Sequence, residues 1–376
     1  MRNSTLAFRV AVVALAAALS GTCHASGFAE DSTIVYTSCD SIRLAATLAI
    51  PDDGRQRHPA VVLMSGTGRQ DRDCTMAGHK VFKEISDHLA ANGIAVLRTD
   101  DRGTGSSGGD YGYATTADFA ADALAAVDYL KSRPDIDASH IGLLGHSEGG
   151  ASISIAAAQS PDVAFLVSLC GLMTAGLQSV IQQNIDIVAA SPLPEADKAR
   201  YNDINERMFR TAYDYADSDS LEQRLYAVHD EWRRDTTNQH IRYGIYMYAM
   251  TATSPWYRFF IRYNPADYLS KVNVPVLLVF GGKDIMVNAR QNEESALRCL
   301  AHNKEVTSRV FPQINHLLLP CEKGTQEEYA SLKDANVLPE LLSLLSTWIR
   351  EKSGMPTNNT LPPGIYIVKG KKMVIK

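Results

Sequence analysis

The chain has 376 residues, 45% of them hydrophobic, and a formal net charge of -5. That balance excludes a disordered chain and gives no reason to expect nucleic acid or another polyanion as a partner. The length suits one large α/β domain with an insertion, or two smaller domains.

The first residues read as a targeting segment. Arg2 and Arg9 lead into an apolar run from Val10 to Leu19, followed by small residues, the three parts of a secretory signal. The run is shorter than the roughly 20 apolar residues of a membrane span. Export to the periplasm or cell surface is expected, with residues 1–25 removed and no stable membrane insertion. Five cysteines then remain: Cys39, Cys74, Cys170, Cys299 and Cys321. An exported compartment permits disulfides. Cys299–Cys321 is the readier pairing and Cys39–Cys74 a second, with connectivity open. Cys170, closing the run AFLVSLC, reads as a buried thiol. No His and Cys spacing suggests a metal site.

After the signal, TIVYTSC and RLAATLAIP read as two short strands joined by a polar turn. PAVVLMSG (59–66), GIAVLRTD (93–100), HIGLLG (140–145), VAFLVSLCG (163–171) and VPVLLVFGG (274–282) are nearly all apolar. Such runs fit strands covered on both faces, as in a parallel sheet. Helical patterns alternate with them. One carries Phe119, Ala123, Val127 and Leu130 on one stripe, with Thr115 and Asp118 as a capping box, and another carries Leu341, Leu345 and Trp348. Alternation of this kind predicts a doubly wound, mostly parallel α/β sheet.

The alternation stops between 172 and 271, a mostly helix-like, tyrosine-rich stretch with Trp232 and Trp256. A helical cap inserted into a core of residues 26–171 and 272–353 is the simplest reading. Within it, SPWYRFF (254–260) is the best candidate to line a pocket. Residues 354–376 read as a linker followed by a hairpin around Lys369-Gly370.

Chemistry enters at Gly145-His146-Ser147-Glu148-Gly149, a G-x-S-x-G pattern between a strand-like and a helix-like segment. On such a turn the serine stands above the carboxyl ends of the strands, where these sheets bind ligands. A serine needs a base, and the expected chain order is serine, acid, histidine. His316, after a short strand-like run, is the base. Asp284, just beyond Gly281-Gly282, is the acid. The oxyanion donors are the N–H groups of Glu148 and of Thr67, in the loop after VVLMSG. His146 is read as a packing residue. Asp71, Arg72, Asp101 and Arg102 are read as an ion-pair network supporting the loops. No metal or organic cofactor is implied.

On these residues the chain resembles an α/β-hydrolase. It is similar to bacterial carboxylesterases and acyl-thioester hydrolases with a G-H-S-E-G-G elbow, over residues 33–352. Matching segments include AGHK (77–80), VLRTDDRGTGSS (97–107), SPWYRFFIRYNPADYL (254–269) and NHLLLPCEKGTQEEY (315–329). The oxyanion loop GTGRQDRDC departs from the G-S-G-P-Q-D-R-D-E-like pattern at Thr67, Arg69 and Cys74. The resemblance implies a serine hydrolase acting on a small-molecule carboxylic ester, with Arg69, His79 and Trp256 as candidate pocket residues. Arg69 either favours an anionic acid moiety or faces water. The tail's last sixteen or so residues resemble the final strands of C-terminal sorting modules on proteins exported by Bacteroidetes. A peptidase or thioesterase of the same fold, or a non-catalytic binding protein on this scaffold, are the alternatives. Oligomeric state is left open.

Overall fold

A computed structural model describes residues 27–357 and 360–375. The signal segment expected at 1–25 lies outside the described residues. The strands are β1 (Phe28–Thr37), β2 (Arg43–Pro51), β3 (His58–Met64), a small hairpin of β4 (Thr75–Met76) and β5 (His79–Lys80), β6 (Ala95–Thr99), β7 (Ile136–His146), β8 (Leu166–Leu169), β9 (Val276–Gly281), β10 (Val306–Phe311), β11 (Gly364–Val368) and β12 (Lys371–Ile375). Ten of them form one sheet in the order β1-β2-β6-β3-β7-β8-β9-β10-β11-β12. Neighbours from β6 through β10 are parallel, and the outer pairs at both edges are antiparallel. This is the doubly wound, mostly parallel sheet expected from the alternation of apolar runs and helical patterns.

Every residue of β3 is buried, because the sheet is covered on both faces. Ala60, Val62 and Met64 join one core while Val61 and Leu63 join the other, as the two-residue side-chain period requires. Helices α1 (Val81–Ala91) and α12 (Pro339–Lys352) cover one face. Helices α2 (Thr116–Lys131), α3 (Gly149–Gln159) and α10 (Ala289–Cys299) cover the other. The capping box at Thr115 and Asp118 is present. Leu341, Leu345 and Trp348 are fully buried beneath α12.

From β3 the chain moves to β6 on one side, then returns to β7 on the other. Strand order therefore reverses beside β3, and the crevice at the carboxyl ends of β3 and β7 is where such sheets bind ligands. Between β8 and β9 run α4 (Gly176–Ala190), α5 (Glu195–Asp214), α6 (Leu221–Trp232), α7 (Ile245–Ala252), α8 (Pro255–Arg262) and α9 (Ala266–Leu269). A last short helix, α11 (Gln326–Tyr329), precedes α12. The tail hairpin β11–β12 adds to the sheet edge, with Thr307 paired to Val368. No helix among the described residues is long and apolar enough to cross a membrane.

The cysteine pairings expected from sequence do not form, since all five described cysteines are free. Cys299 closes α10, at the end of the sheet where that crossover returns to the start of β10. Cys321 lies in the loop leaving the opposite, carboxyl edge, so the two cannot meet. Cys74 is buried in the core under α1, while Cys39 is exposed on the β1–β2 turn, beside Tyr36 and Tyr129 on the α2 face.

Candidate active site

Ser147 directly follows β7, with φ +58°, a left-handed conformation that costs a non-glycine residue about 1–3 kcal/mol. The surroundings hold it there. Its N–H donates to the Leu169 carbonyl at 3.1 Å, and its own carbonyl accepts from Gly150 at 3.0 Å and Leu172 at 2.8 Å. Small neighbours make the turn feasible. A Cβ on Gly145 would stand 2.2 Å from the Gly149 carbonyl oxygen, and one on Gly66 would stand 2.6 Å from the Ser147 Cβ. The G-x-S-x-G spacing therefore reflects contact between β7, the loop after β3 and α3.

His316 lies in the loop after β10, with Nε2 3.0 Å from Ser147 Oγ and Nδ1 2.8 Å from Asp284 Oδ2. Asp284, in the loop after β9, also accepts at Oδ1 from the Met286 and Val287 N–H groups at 2.8 and 2.9 Å. A carboxylate can only accept, so His316 carries its proton on Nδ1 and leaves Nε2 free to accept from the serine hydroxyl. All three side chains come from loops at the carboxyl edge of the sheet, although 169 residues separate Ser147 and His316.

His146 packs against His316 and donates Nε2–H to the His316 carbonyl at 2.7 Å. Burial, with His316 adding to it, pushes this imidazole down to about 3, so it stays neutral and braces the loop. Asn315 was not singled out by sequence. Its buried Oδ1 accepts from the Leu317 and Leu319 N–H groups, and Leu318 between them has φ +64°. Asn is a residue that folds a turn on its own backbone; that is the signal NHLLLP carried.

Thr67 and Glu148 flank Ser147, and neither N–H donates to another protein group among the described residues. Loop geometry around Thr67 is set by several bonds. Gly68 N–H donates to the Tyr111 hydroxyl at 2.7 Å. Asp101 accepts from Ser65 Oγ at 2.6 Å and from the Gln70 N–H at 2.9 Å, while burial raises its carboxyl to about 7. The expected network of Asp71, Arg72, Asp101 and Arg102 divides differently. Arg72 clamps Asp100 with two bonds, at 3.0 and 2.7 Å. Arg102 clamps Asp122 and also reaches Asp40. Asp71 caps the N–H groups of Asp73 and Thr75. Against the opposing pull of burial, Arg72 and the Ser106 N–H hold Asp100 below the ordinary carboxylate range.

A cavity of about 750 Å³ lies over Ser147 and His316. Its floor includes Gly66, Thr67 and Glu148, and its roof comes from the helices between β8 and β9: Val180, Gln183, Asn184 and Ile187 of α4, Phe209 of α5, Met247 and Tyr248 of α7, and Trp256, Tyr257 and Phe260 of α8. Trp256 stands where SPWYRFF was expected to face a pocket. Arg69 and His79 do not line this cavity. The Arg69 guanidinium lies over the Tyr111 ring and donates to the Gly103 carbonyl at 3.0 Å, with most of its side chain in water. His79 pairs opposite Met76 across the β4–β5 hairpin; Met76 reaches the cavity and His79 is buried. Among the described residues no Lys, Arg or Asp side chain lines it, and Glu148 is its one acidic side chain.

One group of potential metal-ligand atoms occurs here: those of Cys170, Asp284 and His316 lie within 4.8 Å of one another. Burial, with Asp284 beside it, raises the Cys170 thiol well above its ordinary value. The thiolate a metal would need is therefore disfavoured, and the His316 Nδ1 and Asp284 Oδ2 atoms are already bonded to each other.

A family model described as X-Pro dipeptidyl-peptidase (S15 family) matches residues 40–316. Esterase EstD of Thermotoga maritima is 26% identical over 307 residues, 81% of this chain and 65% of that protein. The chain thus spans just under two thirds of that relative's length. An uncharacterized 31.7 kDa Escherichia coli protein from the traX-finO intergenic region is 24% identical over 243 residues, 64% of this chain and 77% of its own. Among solved structures, an esterase of Pyrococcus furiosus superposes with a TM-score of 0.51 at 17% identity, covering 86% of this chain and 90% of that one. The α/β-hydrolase GrgF of a Penicillium species gives 0.52 at 17% identity, covering 87% and 99%. These two structural matches share the fold.

Proposed function

The chain belongs to the X-Pro dipeptidyl-peptidase (S15) family, an α/β-hydrolase family, and from that premise we propose that it is an exported serine hydrolase cleaving uncharged carboxylic esters. The carrying observation is the hydrogen-bonded run from Asp284 through His316 to Ser147 on the floor of the cavity.

In this reading the Ser147 oxygen bonds to the ester carbonyl carbon while His316 Nε2 takes its proton. Asp284 keeps the imidazole in the accepting tautomer and stabilises the imidazolium that forms. The carbonyl oxygen becomes an oxyanion between the Thr67 and Glu148 N–H groups; one such donor is worth about 3 kcal/mol. Collapse breaks the bond to the alcohol, which receives the His316 proton. Water then attacks the acyl-enzyme by the same route, with His316 as base, and the acid leaves.

Charge supports esters over peptides. Release of a dipeptide from a free N-terminus leaves an ammonium group needing an acidic anchor. Four acids of the cap pair elsewhere: Glu195 with Lys198, Asp203 with Arg207, Glu206 with Arg210 and Asp197 with His240. None of them lines the cavity. The esterase relative from Thermotoga maritima points the same way. Export is supported by the charged, apolar and small-residue order of the first 25 residues. A series of p-nitrophenyl esters of rising chain length, run beside X-Pro-p-nitroanilides, tests the reading. Ester kcat/KM is expected to exceed that for anilides by at least about 10³-fold, some 4 kcal/mol of transition-state preference. Comparable rates on X-Pro-anilides would return the chain to its family's peptidase chemistry.

A further inference from the structure

Glu148 is only 5% exposed, yet its carboxylate meets three elements at once. Oε2 accepts from Thr67 Oγ1 in the loop after β3 at 2.6 Å. Oε1 accepts from Thr116 Oγ1 at the start of α2 at 2.6 Å, and from Trp256 Nε1 on α8 at 2.8 Å. Burial pushes this carboxyl up from its ordinary value, and the bonds from Thr116, Thr67 and Trp256 pull the other way. Both oxygens are engaged, which leaves the group poorly placed to hold a substrate cation. An indole N–H can only donate, so Trp256 needs an acceptor here.

We propose that the Glu148 side chain is a positioning residue that sets the Thr67 N–H for the oxyanion and ties it to the roof of the cavity through Trp256. The inference rests on the reading of Ser147 as nucleophile. One residue then governs both donors: its own amide directly, and that of Thr67 through a side-chain bond. The bond adds to the Gly68–Tyr111 contact next to it in the chain. Without it, the donor must be ordered at the moment of reaction, and preorganisation is lost.

The test uses Glu148→Ala and Thr67→Val; the valine keeps the backbone N–H and the side-chain volume. Each is expected to lower ester kcat by about 10- to 100-fold, part of the 10²–10³ lost with a whole donor, with KM within about threefold. The diagnostic readout is the kcat ratio between an ester and its thionoester. Sulfur is larger and a weaker acceptor than oxygen, so a well-set pair of donors favours the oxoester. That ratio is expected to fall at least about fivefold in both variants, since donor placement is what it reports. The double variant is expected to lose little more than Glu148→Ala alone, as coupled residues do. The proposal is overturned by variants whose kcat and ratio stay within about twofold of the parent, by a kcat loss with an unchanged ratio, or by additive losses. Should Glu148→Ala melt before assay, Thr67→Val alone decides. An active parent with an inactive Ser147→Ala upholds the nucleophile whatever Glu148 does, so the two readings fail separately.

Discussion

Replacing Ser147 with alanine is expected to lower kcat for a p-nitrophenyl ester by about 10⁵- to 10⁶-fold, leaving only what donors and binding supply without a nucleophile. In the proposed mechanism the hydroxyl is the atom that bonds to carbon, and no neighbouring side chain can replace it. His146 is buried, neutral and bonded away to the His316 carbonyl. The Cys170 thiol is buried beside Asp284 and held protonated. The fold should survive, because the strain at φ +58° is held by backbone bonds to Leu169, Gly150 and Leu172 that alanine keeps. Thermal melting beside steady-state kinetics checks both halves. A loss smaller than tenfold would remove Ser147 from the chemistry.

Asp284→Asn is expected to cost about 10⁴-fold in kcat, or roughly 5.5 kcal/mol, for a reason specific to this loop. The Oδ1 position accepts from the Met286 and Val287 N–H groups. An asparagine must keep its carbonyl oxygen there, which turns its NH₂ toward His316 Nδ1. The imidazole would then accept at Nδ1 and carry its proton on Nε2, where Ser147 Oγ needs an acceptor. The base is lost while the shape is kept. An unchanged melting temperature with the expected fall in kcat separates this effect from unfolding. Activity within tenfold of the parent would show that Asp284 does not set the tautomer.

Much of this arrangement can be read from the chain because it rests on local signals. Continuous apolar runs mark the covered strands, and the glycines around Ser147 mark a turn that tolerates no Cβ where Gly145 and Gly66 stand. Each triad member follows its own strand, and a parallel sheet carries all such loops to one edge. Long-range facts were not legible. Whether Arg69 faces the cavity depends on the distant Gly103 carbonyl and the Tyr111 ring. His79 is decided by the register of a six-residue hairpin. Cys299 and Cys321 look pairable at a separation of 22 positions, until α10 carries one of them to the opposite end of the sheet. The Glu148 clamp reaches a partner 108 positions away, and nothing in G-H-S-E-G-G announces which donors its carboxylate will meet.

The central claim is that Ser147 is an activated nucleophile. Treatment with a fluorophosphonate, followed by intact-mass measurement and peptide mapping, tests it most directly. One adduct per chain on Ser147 is expected, with labelling slowed by about 10³-fold or more in His316→Ala, because the hydroxyl is inert without its base. A protein that stays unlabelled while folded, or that carries the adduct on another residue, would contradict the account.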